Sequence, residues 1–207
     1  MLKEFDRILK AAKLLAAISI IPCGLLWWRH SEPRPLPKLG QINPFHFMAQ
    51  DGQFFDSLRL EGKVWVADFF YSTCHSSCPL QTAYMSELQK QWKNRDDLNL
   101  VSFTLDPKND TPKVLTAYAK NYGADTSKWF FLTGEKEDIY RLAQTQFKVT
   151  AQEDDSGDEP DFIHSTRLVL VDRAGYIRGY YSVLDPKELD LLKSDLTQLL
   201  SSIDKVN

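Results

Sequence analysis

The chain reads as an α/β domain whose mixed sheet is flanked by helices, preceded by an N-terminal β-hairpin and a single N-terminal transmembrane helix. Three observations predict this. From Val64 onward, short apolar runs rich in Val, Phe and Tyr alternate with stretches of helical spacing, the pattern of a layered α/β core. The alternation ends in two strands joined by a tight turn and a last amphipathic helix, so an antiparallel pair joins the parallel ones. Ahead of the domain, Leu14 to Trp28 carries no charge. With 207 residues, 43% apolar and 12% aromatic, the chain can bury one core.

The apolar run comes first. Fifteen residues are short for a span, but counting from Ile8 to Trp28, with Lys10 and Lys13 snorkelling, gives about the 20 that a bilayer needs. Trp27 and Trp28 suit the interface, and no small-x-small cleavage site follows before Arg29. Residues 1–30 therefore read as an uncleaved anchor. Its flanking cations lean toward a cytoplasmic N-terminus, so the expected location is the inner membrane, single-pass, with the domain facing the periplasm. Pro33, Pro35, Pro37 and Pro44 make 31–44 a stiff, extended linker, and 45–207 is the folded domain.

Within the domain, Asp51-Gly52 between apolar runs predicts the hairpin. Val64 to Tyr71 predicts a strand, Pro79 to Trp92 a helix opened by proline, and Leu98 to Leu105 the next strand. A helix follows from Pro112, capped by Asp110 or Thr111 and stopped near Gly123. Trp129 to Leu132 is a short strand and Lys136 to Gln146 a helix. Arg167 to Val171 and Tyr176 to Tyr181 form a hairpin, and Pro186 to Ile203 the last helix. That order of elements is the thioredoxin-like one. Val149 to Phe162, with six acidic residues, reads as a solvated loop.

Charge narrows the function. The first forty residues hold seven Lys/Arg and three Asp/Glu, leaving 18 basic and 25 acidic residues beyond them. An acidic domain argues against nucleic acid as a partner. Cys23 lies in the apolar run, so Cys74 and Cys78 are the thiols of the domain. They fall at a strand-to-helix turn in YSTCHSSCPL. Thiols four apart can share one helix face, and a helix N-terminus stabilises the thiolate that metal binding and redox chemistry both require. A buried inert pair and a structural disulfide are the plainer readings. A bridge over so short a loop adds little stability through chain entropy, which favours a functional pair.

Three blocks, YSTCHSSCP, SFTLDPKNDTP and DFIHSTRLVLVDRAGYIRGYY, in that order over roughly Phe45 to Ile203, resemble the Sco/SenC family of copper proteins that assemble the CuA centre of cytochrome c oxidase. The resemblance implies a thioredoxin-like fold on one N-terminal anchor, with Cys74, Cys78 and His164 as copper ligands. It implies as partners the oxidase subunit carrying CuA and other copper chaperones. Taken for their chemistry, two thiolates and an imidazole favour Cu(I), whereas zinc would normally want a fourth ligand. His75 reads as exposed and incidental, and His30 and His46 are not first choices. Asp106 to Pro112 reads first as a turn and N-cap sequence, and Asp68 and Tyr71 as packing behind the motif.

Two functions of different kinds follow. One is a metallochaperone that takes copper as Cu(I) or Cu(II) and delivers it to the CuA site without turnover. The other is a membrane-anchored thiol-disulfide reductase, with Cys74 and Cys78 as its redox pair, that keeps the CuA-site cysteines reduced. A general dithiol exchanger of this fold would carry C-x-x-C and a proline before the late strand; here three residues separate the cysteines and Ile163-His164 takes the late position. Both features favour metal. A peroxiredoxin-like peroxidase fits the cysteine spacing poorly.

Overall fold

In the computed structural model the described backbone covers residues 34–154, 161–164 and 166–201, with side chains described for 34–150 and 166–201. The expected anchor, residues 1–30, lies outside them, and no described helix is long and apolar enough to cross a membrane. From Leu36 onward the chain forms one compact unit.

The chain runs β1 (Gly40–Gln41), β2 (His46–Ala49), β3 (Phe54–Asp56), β4 (Val64–Phe70), α1 (Cys78–Gln91), β5 (Leu98–Thr104), α2 (Pro112–Asn121), β6 (Trp129–Thr133), α3 (Lys136–Arg141), β7 (Ala151–Asp154), β8 (Asp161–His164), β9 (Arg167–Val171), β10 (Tyr176–Ser182) and α4 (Pro186–Ser201). The main sheet is ordered β1-β10-β9-β4-β5-β6-β2-β3. Strands β4, β5 and β6 are parallel neighbours, while β9 and β2 join them antiparallel. All seven residues of β4 and of β5 are buried, as expected of strands covered on both faces.

Alternation along β4 sends Phe69 to one face and Phe70 to the other. Phe70 meets Tyr118 of α2 at 5.0 Å and Phe131 at 5.8 Å between ring centroids. Phe69 meets Phe103 at 5.1 Å and Phe147 at 5.2 Å. Each ring so buried contributes roughly 2–3 kcal/mol of transfer free energy. Helix α1 is fastened to the end of α2 by Ser86 Oγ donating to the Tyr122 carbonyl at 2.9 Å, and to α4 by Tyr84 donating to the Leu189 carbonyl at 3.1 Å. The mixed α/β sheet with flanking helices is thus the predicted architecture. The hairpin β2–β3 also forms where Asp51-Gly52 predicts it, with Gly52 at φ 77° supplying the left-handed turn residue.

Two expectations change. Part of the stretch read as a linker belongs to the sheet. Gly40 and Gln41 pair with Ile177 and Tyr176, Leu36 is buried, and Arg178 donates to the Leu36 carbonyl at 2.6 Å. Proline density signals extended backbone, and extended backbone is equally what an edge strand needs. The acidic stretch expected as a loop has paired ends, with β7 and β8 antiparallel from Ala151↔His164 to Asp154↔Asp161. Acidic composition governs solvation, whereas pairing follows from where the ends are held. Val149 is buried and donates to the Ala143 carbonyl at 3.1 Å, and β9 begins three residues after His164. Residues 155–160 lie outside the description. The helix from Lys136 also widens into a π-turn over Leu142–Gln146.

Candidate metal and thiol site

Strand β4 delivers the chain to a turn, residues 71–77, that carries Cys74, and α1 opens with Cys78 in its first turn, followed by Pro79. The two thiols therefore do not share a helix face as their spacing suggested. Cys74 stands in the turn before the helix, with its N–H donating to the Tyr71 carbonyl at 3.2 Å. Proline at the second helical position fixes the helix start behind Cys74. Both described cysteines are in the reduced, thiol form; Cys74 is 5% exposed and Cys78 fully buried.

Their electrostatics differ in sign. Burial alone would raise the Cys74 value. Hydrogen bonds from the Cys78 thiol, the Ser76 hydroxyl and the backbone N–H groups of both residues outweigh it, bringing Cys74 from an ordinary 9.0 down to about 6. The Ser76 oxygen is 3.3 Å from the sulfur. Cys78 moves the other way: burial, its role as donor to Cys74 and the nearby Asp68 charge all raise it. The pair consists of one ready thiolate and one reserve thiol that donates to it.

The turn is held by a residue that sequence reading assigned elsewhere. Asp110, a candidate helix cap, is fully buried and turns its carboxylate away from α2. It accepts from the Ser72 N–H at 3.0 Å, and from the hydroxyls of Ser72 and Thr104. The N-cap of α2 is Thr111, which makes no side-chain cap bond. Asp110 thus ties the β5–α2 loop to the cysteine turn. Burial raises its carboxyl above the usual range against the pull of these donors. A single Asp in an Asp-Thr-Pro string gives no local sign of that contact, because the partner Ser72 is 38 residues away. Asp106 closes its own loop, accepting from the Asn109 side chain at 2.8 Å, as its turn reading predicts.

Behind the thiols lies Asp68, also fully buried. Ser102 donates to its Oδ1 at 2.5 Å and Trp129 in turn donates to Ser102 at 2.9 Å. Its Oδ2 has no partner among the described residues, nor has the buried Oε1 of Gln81, one turn past Cys78. Burial pushes the Asp68 carboxyl up to about 7, against the Ser102 hydrogen bond. The packing residue of the sequence reading is therefore an ionisable group as well.

His75 is exposed, as expected. His164 closes β8; its side chain lies outside the described residues. Strand β9 runs antiparallel to β4, Ala67↔Val169, so its first residue Arg167 comes to the end of β4 from which the cysteine turn departs. Gln81 of α1 donates to the Arg167 carbonyl at 3.5 Å. Among the described residues no group of three His, Cys, Asp or Glu side chains is gathered at metal-binding distance. The described donors, one thiolate and one thiol, are soft ligands suited to a soft monovalent ion, and such an ion needs at least one more donor to complete a trigonal set.

Similarity to known proteins follows this architecture. The family model described as SCO1/SenC matches residues 35–200. The chain is 35% identical over 158 residues to the SCO1 protein homolog of Bacillus subtilis, covering 75% of this chain and 81% of that one. It is 30% identical over 169 residues to a putative copper-binding protein of Stutzerimonas stutzeri, covering 81% and 80%. Among solved structures, BsSco, a member of the Sco family of cytochrome c oxidase assembly proteins in which a disulfide switch was identified, aligns with a TM-score of 0.69 at 33% identity. That alignment covers 81% of this chain and 99% of BsSco. With its fold and most of its length matched, this chain belongs to the SCO1/SenC family.

Proposed function

We propose that this protein is a membrane-anchored copper carrier of the periplasmic face that holds copper through Cys74, Cys78 and His164 and passes it to the cytochrome c oxidase subunit carrying CuA. The observation that carries the reading is the polarised thiol pair. Cys74 is held as a thiolate at neutral pH with Cys78 donating to it, so a thiophilic cation meets a formed ligand and displaces one thiol proton. Arg167, joined to α1 by Gln81, lies three residues after His164, which supports the imidazole as the third donor. Family membership, the copper-binding name of one relative and the oxidase-assembly role of another support the cargo and the recipient. Residues 1–30 are assigned as the anchor on their apolar sequence.

The test uses the full chain in detergent. Reduced protein should take up a single copper, with sulfur-to-copper charge-transfer absorption in the Cu(II) form. Cys74→Ser should abolish that absorption and His164→Ala should weaken binding at least tenfold. An unchanged affinity and spectrum in His164→Ala overturns the three-ligand reading.

The same polarity supports a second reading, reduction of the CuA-site cysteines, as does the disulfide switch of BsSco. The Cys74 thiolate would attack the acceptor disulfide and release one acceptor thiolate. Cys78, once deprotonated, would then displace the second, leaving a Cys74–Cys78 disulfide and an acceptor dithiol. Mixing with the apo oxidase subunit separates the readings: copper transfer without thiol oxidation supports the carrier, and disulfide reduction without copper supports the reductase.

A further inference from the structure

We infer that the outward face of the β2–β3 hairpin is a second, shallower binding site for Cu(I), built on His46 and Met48. Strand β2 alternates, turning Phe47 and Ala49 into the core and His46 and Met48 outward. Two residues apart on one strand face, their Cα atoms are separated by roughly 7 Å, a span that an imidazole and a thioether can close around one ion. Across the hairpin His46 pairs with Asp56 and Met48 with Phe54, so a second pair of side chains shares that face.

The surrounding contacts orient the imidazole. Its ring stacks on Phe54 at 5.5 Å between centroids with an 18° interplanar angle. Its Nδ1 faces Asp56 Oδ1 at 3.7 Å. With the carboxylate on the Nδ1 side, Nε2 on the opposite side of the ring is the nitrogen turned toward a metal. Asp56 also places a negative charge beside the incoming cation. Met48 is 43% exposed and the His46 side chain 50% exposed, so both donors are open to solvent. A thioether with an imidazole selects a soft monovalent ion over zinc, calcium or magnesium.

Position gives the site a use. Register runs Phe70↔Thr104 across β4 and β5, Phe103↔Leu132 across β5 and β6, and Thr133↔Met48 across β6 and β2. His46 and Met48 therefore sit along the sheet edge from which the cysteine turn leaves β4. Three strand spacings, roughly 14 Å, separate β2 from β4. Two donors without a third hold copper loosely, as suits a staging point for an ion on its way to or from the thiols.

The inference does not need the three-ligand reading of the thiol site, and its test removes that site. The chain has three methionines, Met1, Met48 and Met85, and Met85 is fully buried in α1. Methyl-labelled methionine in the full chain carrying Cys23→Ser, Cys74→Ser, Cys78→Ser and His164→Ala is titrated with Ag(I), then with Cu(I) under argon. The Met48 methyl and the His46 ring signals should shift together and saturate, with the Met85 methyl unmoved as the sign of an intact core. His46→Ala should abolish the Met48 shift and Asp56→Asn should weaken binding about tenfold. If the quadruple variant does not fold, the same signals are followed in the wild-type chain beyond the first equivalent of metal. A Met48 methyl that stays still, or that shifts equally in His46→Ala, overturns the site.

Discussion

The two edges of the central sheet treat buried charge in opposite ways. At the edge where β4 and β5 begin, Asp97 accepts from Arg95 at 2.7 and 2.8 Å and from Arg173 at 2.7 Å. The same guanidiniums donate onward to the Leu200 and Leu199 carbonyls at the end of α4, satisfying groups that a helix terminus leaves open. At the edge where β4 ends, Asp68 and Asp110 are more deeply buried and have hydroxyl and N–H partners in place of guanidiniums. One edge is neutralised and fastens the fold. The other keeps ionisable groups under tension next to two thiols, and that is where binding chemistry is expected.

The largest test of this contrast is chemical. If the C-terminal edge is poised, the alkylation rate of Cys74, followed by mass spectrometry, should titrate with a midpoint near 6 in place of the ordinary 9.0. At pH 7 that turns a thiolate fraction of about one per cent into about nine-tenths. Cys78→Ala removes a donor to the Cys74 sulfur and should move the midpoint up. A wild-type midpoint at 8 or above breaks the comparison at its functional end.

Next is Asp68, whose folded-state carboxyl is raised from 3.8 to about 7 by burial. The folded chain then keeps a proton that the unfolded chain has lost between about pH 4 and 7, so stability falls as pH rises through that window and is level above it. The slope is about 1.4 kcal/mol per pH unit. Asp68→Asn cannot ionise. Between pH 5 and 7 the wild type should lose about 2 kcal/mol relative to it in denaturant titrations, and parallel curves would show that Asp68 is ionised in the fold.

How much of this was legible in the sequence depends on the range of the signal. Strands and helices carried by local patterns, VWVADFF, LNLVSFT and the Pro79 and Pro112 helix starts, are found where periodicity puts them. So is the cysteine turn, because an apolar strand followed by C-x-x-x-C-P is a local statement. What was not legible joins distant residues. The pairing of Gly40 with Ile177, of Ala151 with His164, and of Ser72 with Asp110 leaves no mark in either partner's neighbourhood. Displacement of Cys74 from the helix was missed for a different reason: a spacing of four is compatible with a helix face, and only the observed helix start at Cys78 excludes it.

The smallest expected effect sharpens the other half of the comparison. Burial alone would raise Asp97, but the Arg95 and Arg173 guanidiniums hold it below the usual carboxylate range. A depressed folded value contributes stability that is present above the unfolded value of about 4 and is lost as pH falls through the folded one. Asp97→Asn should therefore cost about 2 kcal/mol at pH 7, since it leaves the Arg173 side chain, only 20% exposed, beside a neutral amide. The cost should shrink as the pH falls below the usual carboxylate range and the wild-type carboxyl takes up its proton, so the denaturation midpoints of the two proteins converge. Copper uptake at pH 7 should match that of the wild type, because the pair sits where β5 begins and the thiols sit beyond the end of β4. A copper affinity that fell along with the stability would mean that the two edges are coupled through the sheet.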